Sequence, residues 1–243
     1  MIAQIKAEFR KLSTIRSTYI VLIIAVVLIA AVNFWGVGYK FAGQAPPSYM
    51  ADALINSLSA TGILAGIVAL LLVTHEYRYN TIYYTLATVR SRTTVLLAKA
   101  AVITVFALAF TVLMAAVSVL AAQAGLFAGD HTLPNQSYAV WQLAWRGFGF
   151  VWAISMLALV LAFIVRNQIG SIVLFLMIPT TVEGIASIFL KENVAYLPFT
   201  ALGNLVMIQP LTFSYTKSAG IALVWIAVGY IVSWVLFTRR DAN

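Results

Sequence analysis

Apolar residues in this chain come in long unbroken runs, not in the three-and-four spacing of a soluble helix or the alternation of a strand. Six runs stand out: Tyr19–Gly36, Leu54–Thr74, Ala100–Phe127, Gly147–Val165, Ile169–Leu190 and Gly220–Phe237. The hydrocarbon core of a bilayer takes about 20 residues of α-helix, so each run reads as a transmembrane span. A membrane barrel would show segments of about ten alternating residues, and the runs show no such alternation. The expected fold is an all-α membrane protein of six spans, a single transmembrane domain over residues 1–243.

Two stretches outside the runs also carry a pattern. Ile2, Ile5, Phe9 and Leu12 recur at helical intervals, with Lys6, Arg10 and Lys11 towards the other face. Residues 1–18 therefore read as an amphipathic helix. Such a helix suits an anionic leaflet, and a plain basic flank that orients the first span fits equally well. Val194–Thr216 carries no charge and is long enough for a seventh span. It also contains Pro198, Gly203, Asn204, Gln209 and Pro210, which would break a lipid-facing helix and strand its backbone groups. It reads as short helices in or dipping into the outer leaflet.

Composition agrees with the spans. The chain is 63% hydrophobic and 9% charged, whereas a soluble domain carries about a quarter charged residues. A net charge of +8 would suggest nucleic acid in a soluble protein. Here the cations flank spans, where anionic headgroups account for them, and no nucleic-acid partner is expected. With no cysteine there is no disulfide framework, thiolate nucleophile or Cys-based metal site. The first run follows a basic segment, as a signal peptide does, but five further spans and the lack of a small-residue cleavage site read it as a retained anchor.

Charge also orients the chain. Of fifteen Lys and Arg residues, eleven fall on one side: Lys6, Arg10, Lys11, Arg16, Arg78, Arg90, Arg92, Lys99, Arg166, Arg239 and Arg240. Lys40, Arg146, Lys191 and Lys217 fall on the other. The positive-inside rule then places both termini in the cytoplasm.

This orientation makes the segment from Glu76 to Lys99 a cytoplasmic loop rich in Tyr and Arg. Ile82, Leu86 and Val89 return at helical intervals within it, and Ser91 can cap the helix that opens the third span. Tyr77, Tyr79, Tyr83 and Tyr84 suit a headgroup boundary. The order of residues resembles the permeases of ABC-2-type exporters: an acidic residue after the second span, then Thr, Leu, a small-residue–Arg turn and Lys. Glu76, Thr81, Leu86, Arg92 and Lys99 fit that order, with Asn80 where the family usually has Gly. The amphipathic start, the six spans and the Pro-containing segment before the last span extend the resemblance to essentially the whole chain.

The resemblance implies a bacterial cytoplasmic-membrane permease that exports substrate with a separate ABC ATPase subunit. ATP and Mg would sit on that partner, and this chain would bind no cofactor itself. It implies a second copy, or a homologous permease, as a further partner beside membrane lipids. The loop would be the coupling helix seated in a groove of the ATPase, with Glu76, Thr81, Tyr84, Thr85, Leu86, Arg90 and Arg92 as coupling residues. The chain contains no Gly-x-x-x-x-Gly-Lys-Ser/Thr phosphate loop.

Other chemistry finds less support. His75-Glu76 begins a zinc-protease motif, but position 79 is Tyr and the only other histidine is His131. Neither His lies within a span, which argues against intramembrane serine proteolysis. Glu183 is the only acidic residue inside a predicted span. An intramembrane carboxylate is costly and is expected to face protein or water, so it is the candidate for the translocation path, or else it reaches the interface. Pro179, four residues earlier, is expected to kink this span. Gly62-x-x-x-Gly66 lets another helix approach the second span closely, and Trp141, Trp145 and Trp152 read as interface anchors of the fourth. A channel or assembly protein that needs no nucleotide and a lipid- or peptide-modifying enzyme remain as other readings.

Overall fold

The computed structural model describes residues 1–40, 49–87, 91–130, 140–207 and 209–239. These residues form an all-helical bundle with six helices long and apolar enough to cross a membrane. In chain order the α-helices are α1 (Ile2–Thr14), α2 (Arg16–Ala31), α3 (Tyr49–Arg78), α4 (Ile82–Ala87), α5 (Arg92–Ala128), α6 (Val140–Val165), α7 (Gln168–Met177), α8 (Glu183–Leu190), α9 (Pro198–Val206) and α10 (Tyr215–Arg239). The fifth span is α7 and α8 joined by a π-helical turn, Ile178–Val182.

The second and fourth spans form the centre. In their most apolar stretches 72% and 61% of residues are buried, against 11% in the fifth span. Among lipid tails there is no hydrophobic gain in bringing apolar helices together, so close packing has to hold them. Glycines supply it reciprocally: Gly62 of α3 receives the Phe150 ring of α6, and Gly147 of α6 receives Leu58 of α3. Gly66 receives the Phe175 ring of α7. The Gly62-x-x-x-Gly66 pair therefore seats aromatic rings from two different spans.

The closest backbone approach lies elsewhere. α2 continues as a π-helical segment, Val32–Lys40, that runs against α5. A Cβ on Gly38 would stand 2.5 Å from the Ala122 carbonyl oxygen and 2.6 Å from the Gly125 Cα. One on Gly125 would overlap the Phe34 carbonyl oxygen. Below this crossing lies a closed polar node. Asn33 Nδ2 donates to Ser57 Oγ (2.9 Å), Ser118 Oγ donates to Asn33 Oδ1 (3.1 Å), and the two hydroxyls are 3.1 Å apart. Three spans are thereby joined through groups that all have partners, as buried polar atoms require.

Pro179 sits in the π-helical turn of the fifth span. Proline offers no N–H to the helix ladder, and the wider turn absorbs that loss. After α8 the chain turns at Lys191, with φ 48°, and α9 folds back against α6 and α10. No seventh span forms among the described residues. The polar residues of Val194–Thr216 explain why this non-helical backbone is tolerated. Asn204 Nδ2 donates to the Phe213 carbonyl (2.7 Å) and to Ser218 Oγ (2.8 Å), and its Oδ1 accepts from Leu211 N (2.8 Å). Arg146 and Tyr215 both donate to the Met207 carbonyl, each at 3.1 Å. Trp145 is exposed, while Trp152 turns inward and donates to Thr104 Oγ1 (3.1 Å).

Candidate functional site

Two sequence boundaries move at the end of the bundle where α1, α4 and the first turns of α5 meet, here the basic end. α3 runs on to Arg78 and α5 begins at Arg92, so Glu76 and Lys99 both stand on span helices. The connection shrinks to a turn at Tyr79–Thr81, the six-residue α4, and the residues before Ser91. Asn80 adopts φ 54°, the left-handed conformation that Asn tolerates better than most residues. Ser91, in extended conformation, accepts from Thr94 N and caps α5. Arg90 and Val89 lie outside the described residues.

Four charges cluster here, Glu8, Glu76 and Lys99 buried and Lys11 half-buried. Lys99 is fully buried. Its ammonium donates to Glu8 Oε2 (2.7 Å) and to the Leu72 carbonyl (3.0 Å), and lies 3.0 Å from Glu76 Oε1. Lys11 donates to Glu8 Oε1 (2.7 Å), Glu76 Oε1 (2.5 Å) and Thr85 Oγ1 (3.1 Å). Gln4 adds a bond to Glu8 Oε1 (3.0 Å). Two carboxylates and two ammonium groups make the cluster neutral, and it ties α1, α3, α4 and α5 at one point. Burial alone would raise the Glu8 pKa. The Lys99 charge and the bonds from Lys11 and Lys99 outweigh it, and Glu8 is held below the usual carboxylate range. Desolvation likewise works against the Lys11 charge, and Glu76 and Glu8 overcome it, raising Lys11. Glu76 Oε2 is buried with no partner among the described residues.

Glu8 is the member that sequence reasoning missed. In a basic amphipathic segment a single Glu reads as solvated, yet Glu8 is fully buried beside Leu12, and Ile5 is half-buried on the same face. Ile2 and Phe9 are exposed instead. The signal that could have found it is register: Ile5, Glu8 and Leu12 follow one another at three and four residues, so Glu8 shares the face of the two apolar residues.

The other coupling candidates divide between two faces of α4. Ile82 and Thr85 are buried, and Leu86 is half-buried. Tyr83 and Tyr84 are 45% and 76% exposed, and Thr81 is exposed with them. Arg92 points to the last span. It donates to the carbonyls of Phe237 (2.8 Å) and Thr238 (3.4 Å), and Arg166 donates to that of Leu236 (2.9 Å). Two guanidinium groups from other elements thus satisfy carbonyls that the end of α10 leaves without intrahelical donors.

Glu183 lies far from this cluster in the chain and has partners of its own. Its Oε1 accepts from Phe199 N (2.9 Å), and its Oε2 accepts from Thr200 N (2.7 Å) and Thr200 Oγ1 (2.6 Å). α9 has no side-chain cap of its own; the carboxylate that opens α8 serves as one, a favourable place for an anion. Glu183→Ala is expected to lower thermal stability in detergent by about 1–3 kcal/mol, because two amides lose their acceptor. Glu183→Gln keeps an acceptor and should cost less. Melting curves of the two variants check this ordering, and equal losses would contradict the capping role.

The fold and this site define a polytopic helical membrane protein in which a loop helix is tied through a charge cluster to several spans. A family model described as ABC-2 family transporter protein matches residues 4–183, and the chain belongs to that family. The family implies a membrane transport subunit that works with an ABC ATPase. The match takes in α1, the charge cluster and the first four spans, and stops at Glu183. No curated protein matches the chain.

Proposed function

We propose that this chain is the permease subunit of an ATP-driven exporter in a bacterial cytoplasmic membrane, with both termini in the cytoplasm. A separate ATPase subunit, carrying ATP and Mg, docks on α4, and the permease works as a pair with a second copy or a homologous permease. The observation that carries this reading is the two-sidedness of α4. Its outer face offers Tyr83 and Tyr84, large amphipathic rings of the kind that anchor protein interfaces, with the exposed Thr81 just before it. Its inner face, through Thr85, meets Lys11 and hence Glu8, Glu76 and Lys99.

In this reading the candidates have different roles. Thr81 and Tyr84, with Tyr83, touch the ATPase. Glu76, Thr85 and Leu86 pass a displacement of α4 to α1, α3 and α5. Arg92 carries it to α10 through the Phe237 carbonyl, and Arg90 belongs to the docking rim by its place in the sequence. A rigid-body shift of packed helices is the transition such a connection suits. Glu183 acts on the path through α9, which it holds against α6 and α10.

The test is to replace Tyr83 and Tyr84 together with Ser and measure ATPase association by co-purification. Truncated aromatic anchors cost about 2 kcal/mol or more at an interface hot spot, so association of the still-folded variant should fall by more than roughly tenfold. Unchanged association would remove α4 as the docking element. Arg92 is the poorer probe, since its substitution also uncaps α10.

A further inference from the structure

A polar cavity lies at the basic end beside the end of α3, and neither the coupling reading nor the family assigns it a role. It encloses about 320 Å³ and is lined by Tyr77, Arg78, Arg166, Asn167, Gln168 and Ile169. No carboxylate is among these residues. Arg78 donates to Gln168 Oε1 (3.0 Å), which holds the α3 terminus against the start of α7. Arg166, at φ 57° in the tight turn between α6 and α7, brings a second guanidinium to the cavity, 5.6 Å from the Tyr77 ring centroid. The Tyr77 hydroxyl is buried and has no hydrogen-bond partner among the described residues. Two guanidinium groups, a phenol and an amide therefore converge at a cavity with no carboxylate among its described lining residues.

We propose that this cavity binds the phosphate of an anionic phospholipid. The donor set suits a phosphate, since guanidinium groups recognise its oxygens through paired charge-assisted bonds. Depth selects a lipid as the source. Arg78 ends the apolar helix Leu54–Arg78 and Gln168 opens the fifth span, Gln168–Tyr196, so the cavity sits where apolar spans give way to headgroups. Ile169 forms its lip and is 75% exposed, and Val173 and Leu176 follow at helical spacing, 45% and 41% exposed. This stripe offers an acyl chain a track leading from the cavity into the bilayer. Free phosphate would use the donors and leave the stripe unused. The site rests on the spans alone and stands or falls independently of ATPase docking.

The test uses the full chain, delipidated in mild detergent and examined by native mass spectrometry at physiological salt. It is titrated with short-chain phosphatidylglycerol, with phosphatidylcholine of the same chain length, and with inorganic phosphate. Phosphatidylglycerol should bind at one site per chain and in clear preference to the other two. Arg78→Gln should weaken it roughly fivefold, the worth of one cation near an anionic headgroup. Tyr77→Phe, which removes one oxygen and preserves the ring, should weaken it as well without lowering the melting temperature of the lipid-free chain. Arg166 is left in place because it also caps α10. Equal binding of the two lipids, equal competition by inorganic phosphate, or indifference to both substitutions would overturn the proposal.

Discussion

Lys99→Met is expected to be the most damaging single substitution in the charge cluster, costing about 3–5 kcal/mol. Met fills much of the same space, so the loss is electrostatic. Glu8 would keep Lys11 as its only cation, Glu76 would share that one cation, and the Leu72 carbonyl would lose its donor. Uncompensated buried charge is far more costly than no charge at all. Adding Glu8→Gln to Lys99→Met should therefore recover much of the stability, because Lys11 and Glu76 then remain as a neutral pair. Thermal unfolding of the wild type, both single variants and the double variant in detergent gives the coupling directly. A Lys99→Met chain that melts with the wild type, or a double variant worse than the sum of the singles, would contradict the cluster as described.

The second large effect concerns Gly125. Its substitution by Ala should cost about 1–3 kcal/mol or more, since the new Cβ would meet the backbone of Phe34 and Gly38. Side chains can rotate out of the way, but two helix backbones in contact cannot. Gly62→Ala should be milder, because its added carbon meets the end of the Phe150 ring at 2.7 Å. Gly149→Ala meets nothing within 4 Å and should be neutral or slightly stabilising. Melting temperatures should fall in the order Gly149→Ala, Gly62→Ala, Gly125→Ala. A Gly125 variant as stable as the Gly149 variant would mean that the π-helical segment of the first span does not press on α5.

These contrasts show what the sequence could reveal. Six spans were legible because uninterrupted apolar runs have one stable home. The helices themselves run beyond the apolar runs that end at Thr74 and begin at Ala100, through polar turns to Arg78 and from Arg92. Hydropathy cannot see that Glu8 and Lys99 neutralise each other across 91 positions. The Gly62-x-x-x-Gly66 spacing was visible and does mark close packing, yet the tighter crossing joins Gly38 and Gly125, which have no spacing in common. In the loop, helical spacing of Ile82 and Leu86 announced α4. Which of its residues face inward became evident only once Thr85 met Lys11. Arg92 stood out as a coupling residue, but a chain cannot display which distant carbonyls its guanidinium will cap. Glu183 stood out for its cost in a membrane, and the fold meets that cost with the amides of Phe199 and Thr200.

The proposed export requires a partner that supplies the energy. The most direct measurement is mass spectrometry of what co-purifies with the wild-type chain from its native membrane in mild detergent. The account predicts a stoichiometric subunit bearing a nucleotide-binding phosphate loop, retained through a second purification step. An intact, monodisperse chain that reproducibly comes away without any such ATPase would contradict it.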